Sequence, residues 1–427
     1  MLRGIAAGGI AVLLAATAMG TADASPAIGR VVSTNPVNYT PNITNGAAYK
    51  SAEANGMLYV GGSFTSVTAA AGTTPTGTFT RNHILAFNAA TGSISTSFAP
   101  NVNGDVWAIV PSGTSLYIGG SFSSVNGVAR RGLAKIDATT GAVDTSFNAA
   151  LTSGNVTEAA LVSGRLIISG TFPKKILAVN PASGANTGYI NVAVTGSVAS
   201  NAGPVEVYRF AVNPAGTKLV GVGNFTTVGG ATHYRAFMLD LGSTAASVSA
   251  WRYTPLQQMC AASSLPDYMR DVDFSPDGSY FVVAASGAGY NGTLCDAASR
   301  FDTATTGQAV EPHWVAFTGQ DSLLSVAIAD TAVYVGGHQK WMNAIQSGAD
   351  QQAGQVPRPG LAALEPSSGM PLTWNPGRNP RGVGAEELLA TDNGLYVGSD
   401  TEYIGNQEYR RARLAFFPID GGTAPVV

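Results

Sequence analysis

The chain has 427 residues, of which 52 are glycine and 11% are charged, and its formal net charge at pH 7 is −3. Ordinary globular domains contain about 25% charged residues, so the composition argues against long solvated helices, coiled coils and charged tails. The near-neutral charge leaves no basic surface for nucleic acid. A hydrophobic fraction of 45% is too high for a disordered chain and predicts a sizeable core.

The chain begins with the features of an export signal. Arg3 precedes an apolar run over residues 5–19, and Ala22-Asp23-Ala24 has the small-x-small pattern of a cleavage site. The run is shorter than the roughly 18 apolar residues that span a membrane. We therefore predict a signal peptide over residues 1–24 and a secreted mature chain that begins at Ser25 without a membrane anchor.

One pattern recurs seven times in the mature chain. It is clearest at residues 58–64 (LYVGGSF) and 116–122 (LYIGGSF), and further copies begin at residues 166, 219, 280, 333 and 395. One short apolar segment precedes each copy, a second follows it, and a third often ends in aromatic-x-Pro, as at residues 98–100. Short β-branched and aromatic segments separated by glycine turns predict four antiparallel strands in each unit.

Seven such units predict an all-β fold, a single seven-bladed β-propeller of four-stranded antiparallel blades over residues 25–427. The last unit ends after its third strand, and residues 39–41 (YTP) repeat the aromatic-x-Pro ending of a fourth strand. We therefore expect residues 25–45 to supply the outer strand of the last blade, so that the N-terminal strand closes the ring.

The repeat resembles the "delta-60 repeat" β-propeller family of secreted bacterial proteins, which is common in actinomycetes. The most specific stretches are residues 268–278 (YMRDVDFSPDG), 335–339 (VGGHQ) and 374–378 (WNPGR). The resemblance covers essentially the whole mature chain and implies a β-propeller. Members of this family are usually uncharacterised, so it implies no active site.

The only two cysteines are Cys260 and Cys295. In an exported chain a disulfide is expected before a redox pair. Cys260 precedes the first strand of the fifth unit and Cys295 follows its second strand, and these two connections emerge on the same face of a blade. We therefore predict a structural disulfide between them.

The last three units differ from the earlier ones. The strand that ends in Ser63 or Ser121 in early units ends in His338 and Asp400 in the last two, and charged and aromatic residues gather in the same connections. Such groups bind sugars or carboxylates on one face of a propeller, but they are equally explained as ordinary polar loop residues. The ligand-binding candidates are Tyr268, Arg270, Asp271, His338, Lys340, Trp341, Arg378, Arg381, Asp400 and Tyr403.

A second set of candidates consists of charged residues in the innermost strands, which are expected to line the central channel: Lys50, Glu158, Glu386 and Glu387. Two carboxylates across a channel are able to hydrolyse glycosides, whereas the same residues also suit a water-filled channel. Trp107, Trp314 and Trp374 lie in predicted strands and are expected in the core between blades. The four histidines show no zinc-binding spacing, and no cofactor or metal site is predicted.

No catalytic motif occurs in the sequence, so the catalytic residues remain unknown and enzyme activity stays open. The favoured expectation is a secreted, non-catalytic monomer that binds an extracellular glycan or protein on one face. One alternative is a polysaccharide hydrolase or lyase in which Asp271, Glu386 or Glu387 acts as acid or base, assisted by His338 or Asp400. The other is a structural component of the cell envelope.

Overall fold

The computed structural model describes residues 29–198, 203–257, 260, 268–288, 293–378 and 381–427. The predicted signal peptide over residues 1–24 lies outside these residues. Within them the protein is all-β, with one short 3-10 helix at Thr254–Gln257. No helix long and apolar enough to cross a membrane occurs in this part of the chain.

The described residues form seven main antiparallel sheets, which we number 1 to 7 in chain order. In each sheet the first strand pairs with the second, and the second with the third. The strands are Ala48–Ala54, Met57–Gly62 and Ile84–Asn88 (sheet 1); Val106–Ser112, Ser115–Gly120 and Leu133–Asp137 (sheet 2); Val156–Val162, Arg165–Gly170 and Ile176–Val179 (sheet 3); Glu206–Val212, Lys218–Asn224, Ala236–Leu241 and Ala246–Val248 (sheet 4); Met269–Phe274, Tyr280–Ala285, Ala297–Asp302 and Trp314–Phe317 (sheet 5); Leu323–Ala329, Ala332–Gly337 and Leu361–Leu364 (sheet 6); and Ala385–Thr391, Gly394–Ser399 and Leu414–Pro418 (sheet 7).

The connection between the second and third strands forms a small additional sheet in five of these units. Two of them also take up a segment that precedes the main sheet of their unit. Their strands are Asn42–Ile43, Ser66–Thr68 and Thr78–Thr80; Ser124–Val125 and Val128–Ala129; Val194–Thr195, Thr227–Val228 and Ala231–Thr232; Trp341–Met342 and Val356–Pro357; and Tyr403–Ile404 and Tyr409–Arg410.

The fourth strand is less regular than the repeats predict. Among the described residues only sheets 4 and 5 have a fourth strand. In sheets 1, 2, 3 and 6 the corresponding segment makes a single β-bridge, such as Phe87 with Ile94. Backbone hydrogen bonds flank this bridge, from the N–H of Asn88 to the Ser93 carbonyl and from that of Ser95 to the Ala86 carbonyl, both at 2.9 Å. The Phe98 ring that follows lies 5.4 Å from the Tyr59 ring, edge to face.

The N-terminal segment is tied to sheet 7. The backbone N–H of Ser33 donates to the Pro418 carbonyl at 2.8 Å, and that of Val37 donates to the Phe416 carbonyl at 2.9 Å. Asn42–Ile43 instead pairs with Ser66–Thr68 beside sheet 1. The segment therefore follows the edge of sheet 7 through two spaced hydrogen bonds and then crosses to sheet 1.

The hydrophobic core is divided into seven clusters, each formed by two neighbouring sheets. One of them joins sheet 7 to sheet 1 through Tyr396, Leu414, Leu58 and Val60. The first strands of neighbouring sheets lie side by side, and the first strand of sheet 7 lies beside that of sheet 1. The first strands thus surround a central channel, and this arrangement positions the site described below.

Candidate functional site

Every first strand carries a β-bulge close to its start. In sheet 1 the register shifts between Ala48 and Lys50, so Tyr49 has no partner on the second strand. The other six first strands shift at the equivalent position. A bulge inserts one residue and re-aims a side chain. The seven bulge residues are Tyr49, Trp107, Thr157, Tyr208, Arg270, Leu324 and Glu386.

Glycine opposite the bulge makes room for it. A Cβ on Gly62 would lie 2.0 Å from the Ala47 carbonyl oxygen, and one on Gly170, Gly337 or Gly223 would lie 2.1, 2.2 or 2.4 Å from the carbonyl oxygen that faces it. A side chain at these positions would collide with the backbone, which explains the repeated glycine at the end of the second strand. Sheets 5 and 7 carry Ala285 and Ser399 at this position and bulge as well, so glycine favours the bulge without being obligatory.

The bulge residues line one cavity at the end of the channel where the first strands begin, which we call the mouth cavity. Its volume is about 360 Å³, which falls within the range of small-ligand sites. Thr157 is buried, and the other six bulge residues are half-buried. The remaining lining residues are Asp105, Asn155, Thr171, Glu206 and Arg209.

Aromatic rings and guanidinium groups meet in the mouth cavity. The guanidinium carbon of Arg270 lies 5.2 Å from the centre of the Tyr208 ring, and that of Arg209 lies 5.0 Å from it. In sheet 1, Ser63 donates a hydrogen bond of 3.2 Å to the Tyr49 hydroxyl. These contacts orient the rings and leave polar groups along the same wall, an arrangement that suits a ligand with both apolar faces and hydroxyl groups.

Acidic groups complete the mouth cavity. Asp105 lies 3.2 Å from Nδ1 of His83. Burial raises the pKa of Glu386, and the nearby Arg270 guanidinium opposes this rise. The cavity therefore presents hydrogen-bond acceptors beside its aromatic rings and its arginines.

The residue after each bulge belongs to a second level of the channel, which we call the ion ring, and one of these residues, Arg209, also lines the mouth cavity. Its members are Lys50, Ala108, Glu158, Arg209, Asp271, Ser325 and Glu387. Nζ of Lys50 lies 3.1 Å from Oε2 of Glu158, and Nη1 of Arg209 lies 3.7 Å from the same oxygen. The Lys50–Glu158 pair therefore joins sheet 1 to sheet 3. Burial lowers the pKa of Lys50, but the Glu158 and Glu387 carboxylates outweigh it, and the net shift is upward.

Other carboxylates of the first strands bind the backbone of the next sheet. Glu387 accepts the N–H of Ser51 at 3.0 Å, and Asp271 accepts that of Val326 at 2.9 Å. Two residues further along the same strand, on the same face, Asp273 accepts a hydrogen bond from the N–H of Ile328 at 2.8 Å. Burial raises the pKa of all three, to about 7 for Glu387 and Asp273. These carboxylates therefore link neighbouring first strands through hydrogen bonds.

A second cavity lies on the far side of the ion ring. It has a volume of about 230 Å³, and Lys50, Glu158, Asp271 and Glu387 form part of its wall. Its other lining residues are mostly backbone and apolar side chains of the later part of the first strands. No lining residue is shared with the mouth cavity among the described residues, and the ion ring lies between the two cavities.

The candidates predicted on the face of the last three units do not form one open site. Arg378 is fully buried and binds Oδ1 of Asp400 at 2.8 Å. Asp400 also accepts the N–H of Val383 at 2.8 Å, and Arg381 forms an ion pair with Asp321. This network joins the connections of sheets 6 and 7, and we call the surface around it the rim.

The remaining candidates on this face are spread over several environments. Tyr268 is buried in the core between sheets 4 and 5, where the Arg235 guanidinium stacks on its ring, so a surface ligand has no access to it. Nδ1 of His338 lies 2.7 Å from the Val383 carbonyl oxygen, and the exposed Lys340 binds Asp350 at 3.0 Å.

Trp341 begins a short strand and is half-buried, and Tyr403 is exposed. The other two candidates from this face, Arg270 and Asp271, lie in the channel.

The four channel candidates all line the channel, but on two levels. Glu386 faces the mouth cavity, whereas Lys50, Glu158 and Glu387 belong to the ion ring. Together with Arg270 and Asp271, these are the predicted site residues that the structure brings together.

The predicted disulfide is confirmed. Cys260 and Cys295 are bonded, with their Cα atoms 5.9 Å apart. Cys295 precedes the third strand of sheet 5 and is buried. The bond anchors the connection that leads into the first strand of this sheet, which carries Arg270 and Asp271.

The expectation that Trp107 packs in the core is wrong. Trp107 is half-buried and lines the mouth cavity, because the bulge breaks the alternation on which the expectation rests. Tyr49 and Tyr208 reach the cavity in the same way and were not among the candidates. Aligning the units on the glycine that ends the second strand in sheets 1 and 2 and its counterpart Gly223 in sheet 4 would have marked these three residues, since that glycine signals the bulge opposite it.

The described residues contain no group of three or more His, Cys, Asp and Glu side chains that could hold a metal ion. What the mouth cavity offers is aromatic surface, hydrogen-bond donors and hydrogen-bond acceptors within one enclosed volume. Those features support binding of a small polar ligand or of one end of a larger one.

A family model described as a domain of unknown function (DUF5122) beta-propeller matches residues 115–147. This segment begins with the second strand of sheet 2 and ends after its third. No curated protein matches the chain.

Solved structures resemble the fold at low sequence identity. The structure of U3-55K superposes with a TM-score of 0.50 at 10% identity, covering 92% of this chain and 99% of that one. The RRP9 WD40 repeats reach a TM-score of 0.49 at 11% identity (92% and 98% covered), and the Dos1 propeller reaches 0.47 at 9% identity (90% and 81% covered). With the family model and the described sheets, the chain is an all-β protein with a β-propeller fold, the kind of scaffold that supports binding.

Proposed function

We propose that this protein is a secreted, monomeric, non-catalytic β-propeller that binds an extracellular carbohydrate in the mouth cavity. The observation that carries the proposal is that all seven first strands bulge at one level and direct one side chain each into the same cavity. Bulges that re-aim side chains are frequent beside functional sites. Tyr49, Trp107 and Tyr208 supply faces for a sugar ring, and the neighbouring polar groups supply partners for its hydroxyls.

The proposal includes a finer architecture. Each of the seven sheets is the centre of a blade, residues 25–427 form the propeller, and the N-terminal segment completes the seventh blade. The hydrogen bonds from Ser33 and Val37 to the last strand support this closure. We further propose that residues 1–24 are a cleaved export signal and that the chain belongs to the delta-60 repeat family. The disulfide supports an oxidising compartment.

A glycan array probed with the purified mature chain tests the function. Trp107→Ala is expected to lower binding about tenfold or more, because stacking on an aromatic ring is worth up to about 1.5 kcal/mol beyond its buried area. The matched control is the rim double variant His338→Ala/Trp341→Ala, which should bind like the wild type. The reverse result would place the ligand on the rim, and absence of any bound glycan would favour a protein ligand or a structural envelope role.

One observation favours a second candidate function, a polysaccharide hydrolase or lyase. Asp105, Glu206 and Glu386 line the same cavity, and a half-buried carboxyl with a raised pKa such as Glu386 suits a general acid. Asp271 and Glu387 are weaker candidates for the acid or base, because their carboxylates already accept hydrogen bonds from backbone N–H groups. Release of reducing ends from a bound polysaccharide would support this candidate if Glu386→Gln abolished the release and preserved binding.

A further inference from the structure

Paired charges narrow the channel at the inner end of the mouth cavity. The ion pairs from Lys50 and Arg209 to Glu158 cross the channel directly beneath it. Glu158 is 5% exposed and Arg209 is 8% exposed, whereas the Lys50 side chain is 24% exposed, so the paired charges narrow the channel at this level. The two cavities on either side of the ion ring share no lining residue in the described part of the chain.

A floor of paired charges constrains how a long ligand enters. A polymer that bound along its length would need an open groove or a tunnel with two exits. The mouth cavity has walls from all seven sheets and a floor of paired charges, so a ligand enters only along the axis. Its volume of about 360 Å³ lies near the lower end of ligand sites and suits a short terminal segment.

The walls also match a ring inserted end-on. Tyr49 and Trp107 come from sheets 1 and 2, whereas Tyr208, with the Arg270 guanidinium 5.2 Å from its ring centre, comes from sheet 4 on the other side of the ring of sheets. An inserted sugar would have aromatic surface on two sides and polar groups between them. A sugar lying across the rim would contact neither Tyr49 and Trp107 nor Tyr208.

We infer that the mouth cavity recognises the terminal residue of a carbohydrate chain, which enters end-on and stops at the ion ring. This inference rests on the proposed function and adds that one free end of the glycan is required. Internal residues of the chain lie outside the cavity and contribute little to binding.

Two glycan arrays that carry the same oligosaccharides test the inference. One array attaches each oligosaccharide through its reducing end, and the other attaches it through its non-reducing end. End-on binding predicts signals on one array at least tenfold above those on the other, because only one kind of end is free on each. Equal signals on both arrays would overturn end recognition and leave the proposed function standing, whereas no signal on either array would contradict the proposed function itself.

Two variants assign the signal to the mouth cavity. Trp107→Ala should lose at least tenfold of the binding, and Trp107→Phe, which keeps an aromatic face, should retain most of it. Tyr403→Ala, which removes an exposed ring from the rim, is the matched control and should bind like the wild type. Thermal melting of each variant separates loss of binding from loss of folding, and wild-type binding by a folded Trp107→Ala would overturn the assignment.

Discussion

The mouth cavity and the ion ring are built from consecutive residues of the same seven strands. They differ in whether their polar groups are available to a ligand or already paired within the protein. Six of the seven bulge residues are half-buried, and most of the bulge residues face the mouth cavity with polar or aromatic surface. The ion-ring residues are mostly buried, and their charges pair with one another or with backbone N–H groups. One step along a bulged strand therefore separates a surface suited to binding from one that stabilises the fold.

Glutamates at the two levels provide the strongest test of this comparison. Glu158→Ala should destabilise the protein by about 3–5 kcal/mol, because it leaves Lys50 and Arg209 without their shared carboxylate. Glu386→Ala, one level higher, should change stability by less than about 1 kcal/mol. Urea unfolding of both variants measures the difference, and similar losses would show that the two levels are not distinct.

Removal of the disulfide should have the next largest effect on stability. The Cys260–Cys295 bond closes a loop of 35 residues, for which chain entropy predicts a contribution of about 3–4 kcal/mol. Cys260→Ser/Cys295→Ser should lower the free energy of unfolding, measured by urea titration, by that amount while glycan binding persists at 25 °C. The wild type under reducing conditions is the matched control. Lost binding in a folded variant would mean that the loop positions Arg270 more directly than the contacts of its strand do.

The repeats allowed the all-β propeller fold, the approximate strand positions and the disulfide to be predicted, because each depends on local patterns or on a simple topological rule. The site was harder to predict. Trp107 was misplaced because a bulge shifts the alternation by one residue. The hydrogen bond from the Val326 N–H to Asp271 joins segments 55 residues apart, and nothing local in the sequence marks Asp271 as its acceptor. Burial of Arg378 and Tyr268 likewise depends on the packing of neighbouring units.

The pH dependence of stability should report the buried carboxylates below the mouth cavity. Burial raises the pKa of Asp273 and Glu387 to about 7, well above the unfolded values of about 4. The folded protein thus binds more protons than the unfolded chain between these values, so stability should fall as pH rises from about 4 to 7. Melting temperatures between pH 5 and pH 8 measure this slope. Asp273→Asn should flatten it, and an unchanged slope would assign the dependence to other groups.

The smallest expected effect concerns an ion pair on the rim. Lys340 binds Asp350 at 3.0 Å, much as Lys50 binds Glu158 at 3.1 Å, but the Lys340 side chain is 44% exposed. Water already solvates both rim charges, so Lys340→Met should change stability by at most about 1 kcal/mol and leave glycan binding unchanged. Adding 0.5 M NaCl should remove most of even that small difference, since exposed pairs are screened by salt. A loss approaching that of Glu158→Ala would show that the rim network, with Asp321 and Arg381 beside Lys340, stabilises the channel mouth as strongly as the ion ring does.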